Sequence, residues 1–327
     1  MATLDATLQL TILELSKRKD PSGDLAVIAN VLAKDNEILK DAPWFEANDT
    51  FSHRITRVLK MPSGAFRQLN QGVAISSAQT IVVNETIGQL SDYSQADKTL
   101  VDAAPNPKAF RMGEARIKLE GLSQTLATKI IYGNSHTTPE EPTGLAPRLN
   151  DTDNDNVINA GGSGSDTTSI YVVKWGEEGC FLIYPKGSAG FGITHKDLGE
   201  VTADSSTTAG THALYQVYRD HFEVTVGMAV RDNRYIGRVA NIEVSGTSNI
   251  FDPDDLIDLF NLMPQRGAGA VCYVNRKIFS QMDKQAMDKA NVLYSVKDVF
   301  GVPTTHFRGF PVRLVEAIVN TETAVSS

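Results

Sequence analysis

Three aspartates at alternate positions, Asp151, Asp153 and Asp155, are the nearest approach in this chain to a metal-binding pattern. Alternating carboxylates open a calcium loop, which also needs a glycine at its sixth position and a bidentate glutamate at its twelfth. Asn156 and Gly162 stand there instead, so the ligand set is incomplete and the stretch reads as a solvated loop. Two glycine clusters, Gly161-Gly162-Ser163-Gly164-Ser165 and Gly187-Ser188-Ala189-Gly190-Phe191-Gly192, raise the question of phosphate binding. Neither carries the lysine and hydroxyl residue of a phosphate loop, and neither opens a helix as a dinucleotide fingerprint must. A nucleophile elbow fails as well, because Ser165 stands where its closing glycine should be. The six histidines, His53, His136, His195, His212, His221 and His306, are scattered, with no pair at a spacing that presents two rings to one metal. His221, beside Asp220 and just ahead of a strand, reads as structural. Glu140-Glu141 and Glu177-Glu178 lie in polar stretches where solvation is the default. Cys180 and Cys272 have no metal-like spacing and read as buried thiols in a reducing compartment. No catalytic, cofactor-binding or metal-binding residue emerges.

The composition points away from other classes. Across 327 residues, 41% hydrophobic and 21% charged content are ordinary for a globular protein with a sizeable core. Lysine and arginine number 31 against 39 acidic residues, a net charge of −8. A dedicated nucleic-acid binder carries a basic excess; a mildly acidic wall would instead leave nearby DNA mobile. No apolar run approaches the roughly 20 residues of a membrane span. The opening Met1-Ala2-Thr3-Leu4-Asp5 has no basic and apolar regions of a signal peptide. The expectation is a soluble protein made in the cytoplasm and not secreted.

Since no chemistry organises the chain, its elements must. Residues 5–17 and Asp24–Lys34 have amphipathic helical spacing, and Pro43-Trp44-Phe45 reads as a segment anchored on a surface. Asn106 is a good N-cap, Pro107 suits the first helical position, and Gly133-Asn134 is a stop signal. Between them Ala115, Leu119, Leu122, Leu126 and Ile130 form one apolar stripe. The result is a helix over 107–132, about 39 Å long at 1.5 Å per residue. Gly113 and Gly121 weaken it and are expected to be sites of close packing. Strands are expected at Thr80–Leu90, Ser169–Trp175, Cys180–Tyr184, Leu214–Tyr218, Phe222–Val230, Tyr235–Val244, Ala270–Val274 and Phe310–Ala317. Helices are expected at 253–263 and Arg276–Lys289. Without a regular strand–helix alternation, the class is α+β.

One stretch does not complete its own burial. Two strand-like runs, Phe51–Lys60 and Phe66–Ile75, flank Met61-Pro62-Ser63-Gly64, a hairpin-type turn. Neither face of the first run is a clean apolar stripe, and an isolated hairpin is marginal in water. The arm is therefore expected to lie against another copy of the chain. Trp44, Phe45, Arg54, Arg57, Lys60, Phe66 and Arg67 are the candidate inter-subunit contacts, with Arg57 and Arg67 facing acidic residues of a neighbour.

Several blocks carry a family resemblance in order along the chain. They are Asp41-Ala42-Pro43-Trp44-Phe45-Glu46-Ala47-Asn48, Phe66-Arg67-Gln68-Leu69-Asn70-Gln71-Gly72-Val73 and Thr143-Gly144-Leu145-Ala146-Pro147-Arg148, then Tyr184-Pro185-Lys186-Gly187, the run Arg231–Ile242 and Phe307-Arg308-Gly309-Phe310-Pro311-Val312-Arg313. Together they resemble the major capsid proteins of a group of tailed bacteriophages. The resemblance implies the Hong Kong 97-like capsid fold: an N-terminal arm at 1–47, an extended hairpin loop at 48–90, a peripheral domain at 91–249 with helix 107–132 as its spine, and an axial domain at 250–327. It further implies pentamers and hexamers that close into an icosahedral head around DNA, without catalysis and without a cofactor. Expected partners are the chain itself, a portal and a separate scaffolding protein, since a long, charged, coiled-coil-like N-terminal extension of the kind that serves some relatives as a fused scaffold is not seen; a decoration protein outside is compatible with this reading. In some relatives a lysine of the extended loop crosslinks to a neighbour. Lys60 lies beside the turn, but no motif supports that chemistry here, so no crosslink is expected. The alternative with the same fold is an encapsulin-like bacterial compartment shell.

Overall fold

The computed structural model describes residues 36–188, 192–206, 212–286, 294–299 and 302–326. The two amphipathic helices expected at 5–17 and Asp24–Lys34 lie outside the described residues. The chain runs α1 (Ile38–Asp41), β1 (Trp44–Glu46), β2 (Ser52–Lys60), β3 (Gln79–Asp97), α2 (Lys98–Asp102), α3 (Pro107–Tyr132) and α4 (Leu145–Arg148). It continues through β4 (Val157–Asn159), β5 (Thr167–Val173), β6 (Cys180–Tyr184), β7 (Thr194–Asp204), β8 (Leu214–Val230) and β9 (Ile236–Glu243). The last elements are α5 (Pro253–Leu262), β10 (Val271–Val274), α6 (Arg276–Ala286), β11 (Tyr294–Val299), β12 (Val302–Phe307) and β13 (Phe310–Leu314). Over the described residues they form two compact units, one from Gln89–Leu126 and Gly192–Thr225, the other from Lys34–Gly88, Ala127–Phe191 and Val226–Ser327.

In the first unit β7 pairs antiparallel with β8 from Thr194↔Glu223 to Asp204↔Leu214. Ala96, Val101, Ala104 and Phe110 form its small core, with Leu100 and Tyr218 packed against them. The start of α3 is set by its cap: Asn106 Oδ1 accepts the Ala109 N–H at 3.1 Å, satisfying a donor the helix cannot. Arg111, one turn in, reaches Asp197 at 2.6 Å and the buried Asp220 at 2.9 Å. His195 completes this cluster, 3.0 Å from Asp220 and stacked on Phe222 at 4.8 Å. His221 stacks on Tyr93 at 4.5 Å, the structural role expected for it. Gly113 and Gly121 do not fit the expectation of close packing: among the described residues nothing lies within 4 Å of the position a Cβ would take on either. Both sit on an exposed face of the helix.

The second unit holds a seven-stranded sheet in the order β11-β12-β13-β10-β5-β9-β4. β4 and β9 are parallel, β5 is antiparallel to β9 and β10, and β10 is parallel to β13. Every residue of β5 is buried, as its unbroken apolar and hydroxyl run requires of a central strand. α5 and α6 contribute Leu256, Leu259, Phe260, Ile278 and Met282 to the core with Ile170, Val239 and Val274. The chain beyond β13 is pinned to this sheet by Glu322, which receives Arg238 Nη2 at 2.8 Å, the Tyr171 hydroxyl at 3.3 Å, and the hydroxyls of Tyr132 and Ser169. Burial pushes the Tyr132 and Tyr171 phenols far up, so they stay protonated as donors. Asn241 also clasps Val325, donating to its carbonyl at 2.8 Å and accepting its N–H at 2.7 Å.

β1, β6 and β2 of this unit, with the parts of β8 and β3 that belong to it (226–230 and 79–88), follow the order β1-β6-β8-β3-β2. β1 is parallel to β6, β6 antiparallel to β8, and β2 antiparallel to β3. The last pairing corrects the expected hairpin. β2 takes residues 79–86 as its partner, from Lys60↔Gln79 to Ser52↔Thr86, and Phe66–Ile75 forms no strand. The physical reason is in the side chains: Val83 and Ile87 alternate in phase with Ile55, whereas residues 66–75 offer no regular apolar alternation to a partner. The two runs expected within 214–230 are one strand, and β7 lies on a polar exposed edge that gives no apolar period.

Candidate assembly arm

The inward face of β2 carries His53, Ile55 and Arg57, and that of β3 carries Val83, Glu85 and Ile87. Ile55 is buried with Ala47, Phe181, Ile183 and Ala229, and Phe45 and Ile87 pack against the cluster. The Phe181 ring meets Phe45 edge-on at 5.1 Å and His53 at 5.6 Å. Burial lowers the His53 pKa, with the nearby Arg231 charge adding to it and Glu85 opposing.

Glu85 is 3% exposed, so an ionised carboxylate there needs partners. Arg148, from α4, supplies a two-pronged one: Nη1 donates to Oε1 at 2.8 Å and Nη2 to Oε2 at 2.6 Å. The same Nη2 lies 3.2 Å from the carbonyls of Thr143 and Met228. Arg57 adds a second cation 3.7 Å from Glu85 and donates to the Val230 carbonyl. Burial lowers the Arg57 pKa while Glu85 raises it. Gly88 finishes the root: a Cβ there would lie 2.7 Å from the Glu140 carbonyl and 2.8 Å from the Pro142 ring, a position only glycine fills without displacing backbone.

Outward along the same strands the environment reverses. A bulge falls between Val58 and Lys60, and Val58, Leu59, Ile81 and Val82 are exposed. Residues 61–78 form no strand; their internal ties are few, notably Ser76 Oγ to the Ser63 carbonyl at 2.8 Å and Gln71 N–H to the Gln68 carbonyl at 3.2 Å. Asn70 adopts a left-handed φ of 67° at the turn. Phe66 and Ile75 are fully exposed, and Met61 and Leu69 nearly so. Burying one such side chain stabilises by about 1.5–3 kcal/mol, and a concentration of them on a soluble subunit marks an interaction surface.

The candidate contact residues divide accordingly. Trp44 and Phe45 are half-buried on β1, where Phe45 serves the root. Arg57 is engaged at the root as well. Arg54 is exposed, its backbone bonded to the Asn48 side chain at 2.8 and 2.9 Å. Lys60 and Phe66 are exposed with no side-chain partner among the described residues, and Arg67 Nη1 lies 3.3 Å from the Gln71 carbonyl. The residues missed are Glu85 and Arg148. A signal for Glu85 existed, a carboxylate in phase with Val83 and Ile87 on a strand's inward face; Arg148 is 63 residues away and gave none.

Elsewhere among the described residues the motifs singled out in the sequence are ordinary structure. Among the described residues no group of three or more His, Cys, Asp and Glu is arranged to hold a metal ion. Asp151 Oδ1 accepts the Asp153 N–H at 2.8 Å, an ordinary polar turn. Both cysteines are buried and free, and burial pushes the Cys180 thiol up to about 12. No described helix is long and apolar enough to cross a membrane. A cavity of about 570 Å³ beside α3 is lined by Met112, Ala115, Leu119 and Phe222; of its polar groups, Arg111, Asp197, Asp220 and His195 are bonded to one another, and Lys108 and Arg116 also face it.

The described residues form a mixed α+β chain with a long spine helix and a two-stranded arm whose tip is apolar and exposed. The chain belongs to the major capsid protein GP7 family, whose profile matches residues 20–326. A chain in the near-atomic structure of bacteriophage epsilon15 is 32% identical, covers 100% of both chains and superposes with a TM-score of 0.75. More distant are the capsid of bacteriophage JBD30, at 11% identity over 94% of this chain and 99% of that one with a TM-score of 0.43, and an encapsulin complex from Synechococcus elongatus, at 10% over 73% and 98% with a TM-score of 0.49. No curated protein matches the sequence. The fold is the Hong Kong 97-like capsid fold, and the chain is a bacteriophage major capsid protein, a structural component of the virion that forms a multimeric shell of itself.

Proposed function

We propose that this chain forms pentamers and hexamers that close into the icosahedral head of a tailed double-stranded DNA bacteriophage, and that it performs no catalytic step. The observation that carries this reading is the arm: a firmly rooted strand pair holding Met61, Phe66, Leu69 and Ile75 out in water. A neighbouring copy is the surface that covers them. Closed symmetric assembly repeats each contact many times, so interfaces that are modest one by one suffice.

In this reading residues 1–47 act as the N-terminal arm, 48–90 as the extended loop, 91–249 as the peripheral domain and 250–327 as the axial domain, with β4, β5 and β9 sharing the sheet of the axial strands. Arg54, Lys60, Phe66 and Arg67 then contact the neighbour directly, while Trp44, Phe45 and Arg57 support the arm from below. Assembly takes place in the host cytoplasm with a separate scaffolding protein and a portal, and an outer decoration protein is compatible with it. The net charge of −8 leaves the enclosed DNA ungripped. Lys60 forms no covalent crosslink, so denaturing, reducing gels of mature particles show only the monomer band.

Electron microscopy of the purified chain, alone and co-expressed with the scaffolding protein, tests the reading. Closed icosahedral shells are expected. A chain that stays monomeric or dimeric even with the scaffold contradicts it.

A further inference from the structure

We propose that Glu85 is the positioning residue of the arm, and that its clamp by Arg148 fixes the direction in which the tip is presented to a neighbouring subunit. The inference deepens the assembly reading and rests on it for its consequence, but the clamp itself is a property of the single chain.

The geometry points to direction as well as strength. A bidentate guanidinium–carboxylate pair constrains the orientation of both planes, which a single hydrogen bond does not. Arg148 is held in turn, since its Nη2 also reaches the carbonyls of Thr143 and Met228, at 3.2 Å each. The fork therefore joins β3 to two other segments of the same unit. On β2 the matching tie is Arg57, bonded to the Val230 carbonyl and 3.7 Å from the same Glu85. Beyond Arg57 the outward side chains of both strands are exposed, and the projecting part is held mainly by its own strand pairing. Phe66 lies nine residues beyond Arg57, at most roughly 30 Å away along extended chain. A tilt of about 10° at the root would then move the tip by up to about 5 Å, enough to lift a side chain off a matched surface. The clamp sits where such a tilt begins.

The test uses the full chain as unassembled subunits carrying spin labels at S63C and D155C, two exposed positions of the same unit, diluted into unlabelled chain. Cys180 and Cys272 are buried and stay unlabelled. Pulsed electron–electron distance measurement should give one narrow distribution with Glu85 intact and a distribution at least twofold broader in Glu85→Gln, with unchanged far-ultraviolet circular dichroism. Arg148→Lys keeps the charge but not the fork; it is expected to fall between the two, and it serves as the working variant if Glu85→Gln does not fold. A merely structural carboxylate would move stability without widening the distance. In assembly, Glu85→Gln should give misclosed or heterogeneous shells. An unchanged distance distribution in both variants, or a broad one in the native chain, overturns the clamp. Uniform native shells from Glu85→Gln subunits overturn its role in assembly. If even the native chain with its scaffold forms no shell, the assembly reading fails, while the distance measurement still decides the clamp.

Discussion

The two ends of the arm are made of the same pair of strands and obey opposite rules. At the root, Ile55 and Glu85 are buried, one in an aromatic and aliphatic cluster and the other under two arginines. A few residues on, Val58, Phe66 and Ile75 are bare. A strand pair that begins as tertiary structure ends as an interface in waiting. The single chain therefore stabilises only half of the element, and substitutions at the two ends should be read by different assays.

The largest separation is expected from Arg148→Ala, which strands the Glu85 carboxylate in the interior. Removing one partner of a buried pair costs about 3–5 kcal/mol, read as a lowered urea midpoint of the unassembled subunit. A loss below about 1 kcal/mol would mean that the root is not anchored as described. Next, Ile55→Ala should cost about 2–5 kcal/mol, whereas Val58→Ala, on the exposed stretch of the same strand, should stay within about 0.5 kcal/mol. Equal losses would erase the boundary between root and tip.

A smaller, pH-dependent effect belongs to His53. Its pKa is lowered in the folded chain by burial, so below the ordinary histidine value of about 6.5 the unfolded chain binds more protons than the folded one. This contribution is fully present above that value and is lost as pH falls from it toward the lower folded pKa. His53→Gln should flatten the dependence in denaturant titrations across that window; an unchanged slope would assign it to other groups. The smallest effect on the subunit is expected at the tip. Phe66→Ser and Leu69→Ser should leave unfolding within about 0.5 kcal/mol of the native chain, yet sharply reduce the yield of closed shells by sedimentation. Normal shell yield would remove the tip from the interface.

What the sequence made legible was whatever is decided locally. The spine was readable to its limits, Pro107–Tyr132, because Asn106, Pro107 and Gly133 carry their own start and stop chemistry. β6 was readable as Cys180–Tyr184 because its apolar run is short and bounded. The arm's pairing was not, since proximity in sequence favoured 66–75 while the in-phase Val83 and Ile87 favoured 79–86. The polar edge strand β7 left no period to detect. Two glycines within a helix suggest close packing, yet Gly113 and Gly121 face open space. The family resemblance supplied the architecture, which periodicity alone did not reach. The buried Glu85 was half-legible from its phase, but Arg148 depends on a fold that brings distant segments together.

The most direct test of this account is electron cryo-microscopy of the assembled shell at side-chain resolution. Phe66, Leu69 and Ile75 are expected to be covered by an adjacent subunit, with the Glu85–Arg148 fork intact at the root of the same arm. Tip side chains still facing solvent in the closed shell would contradict it.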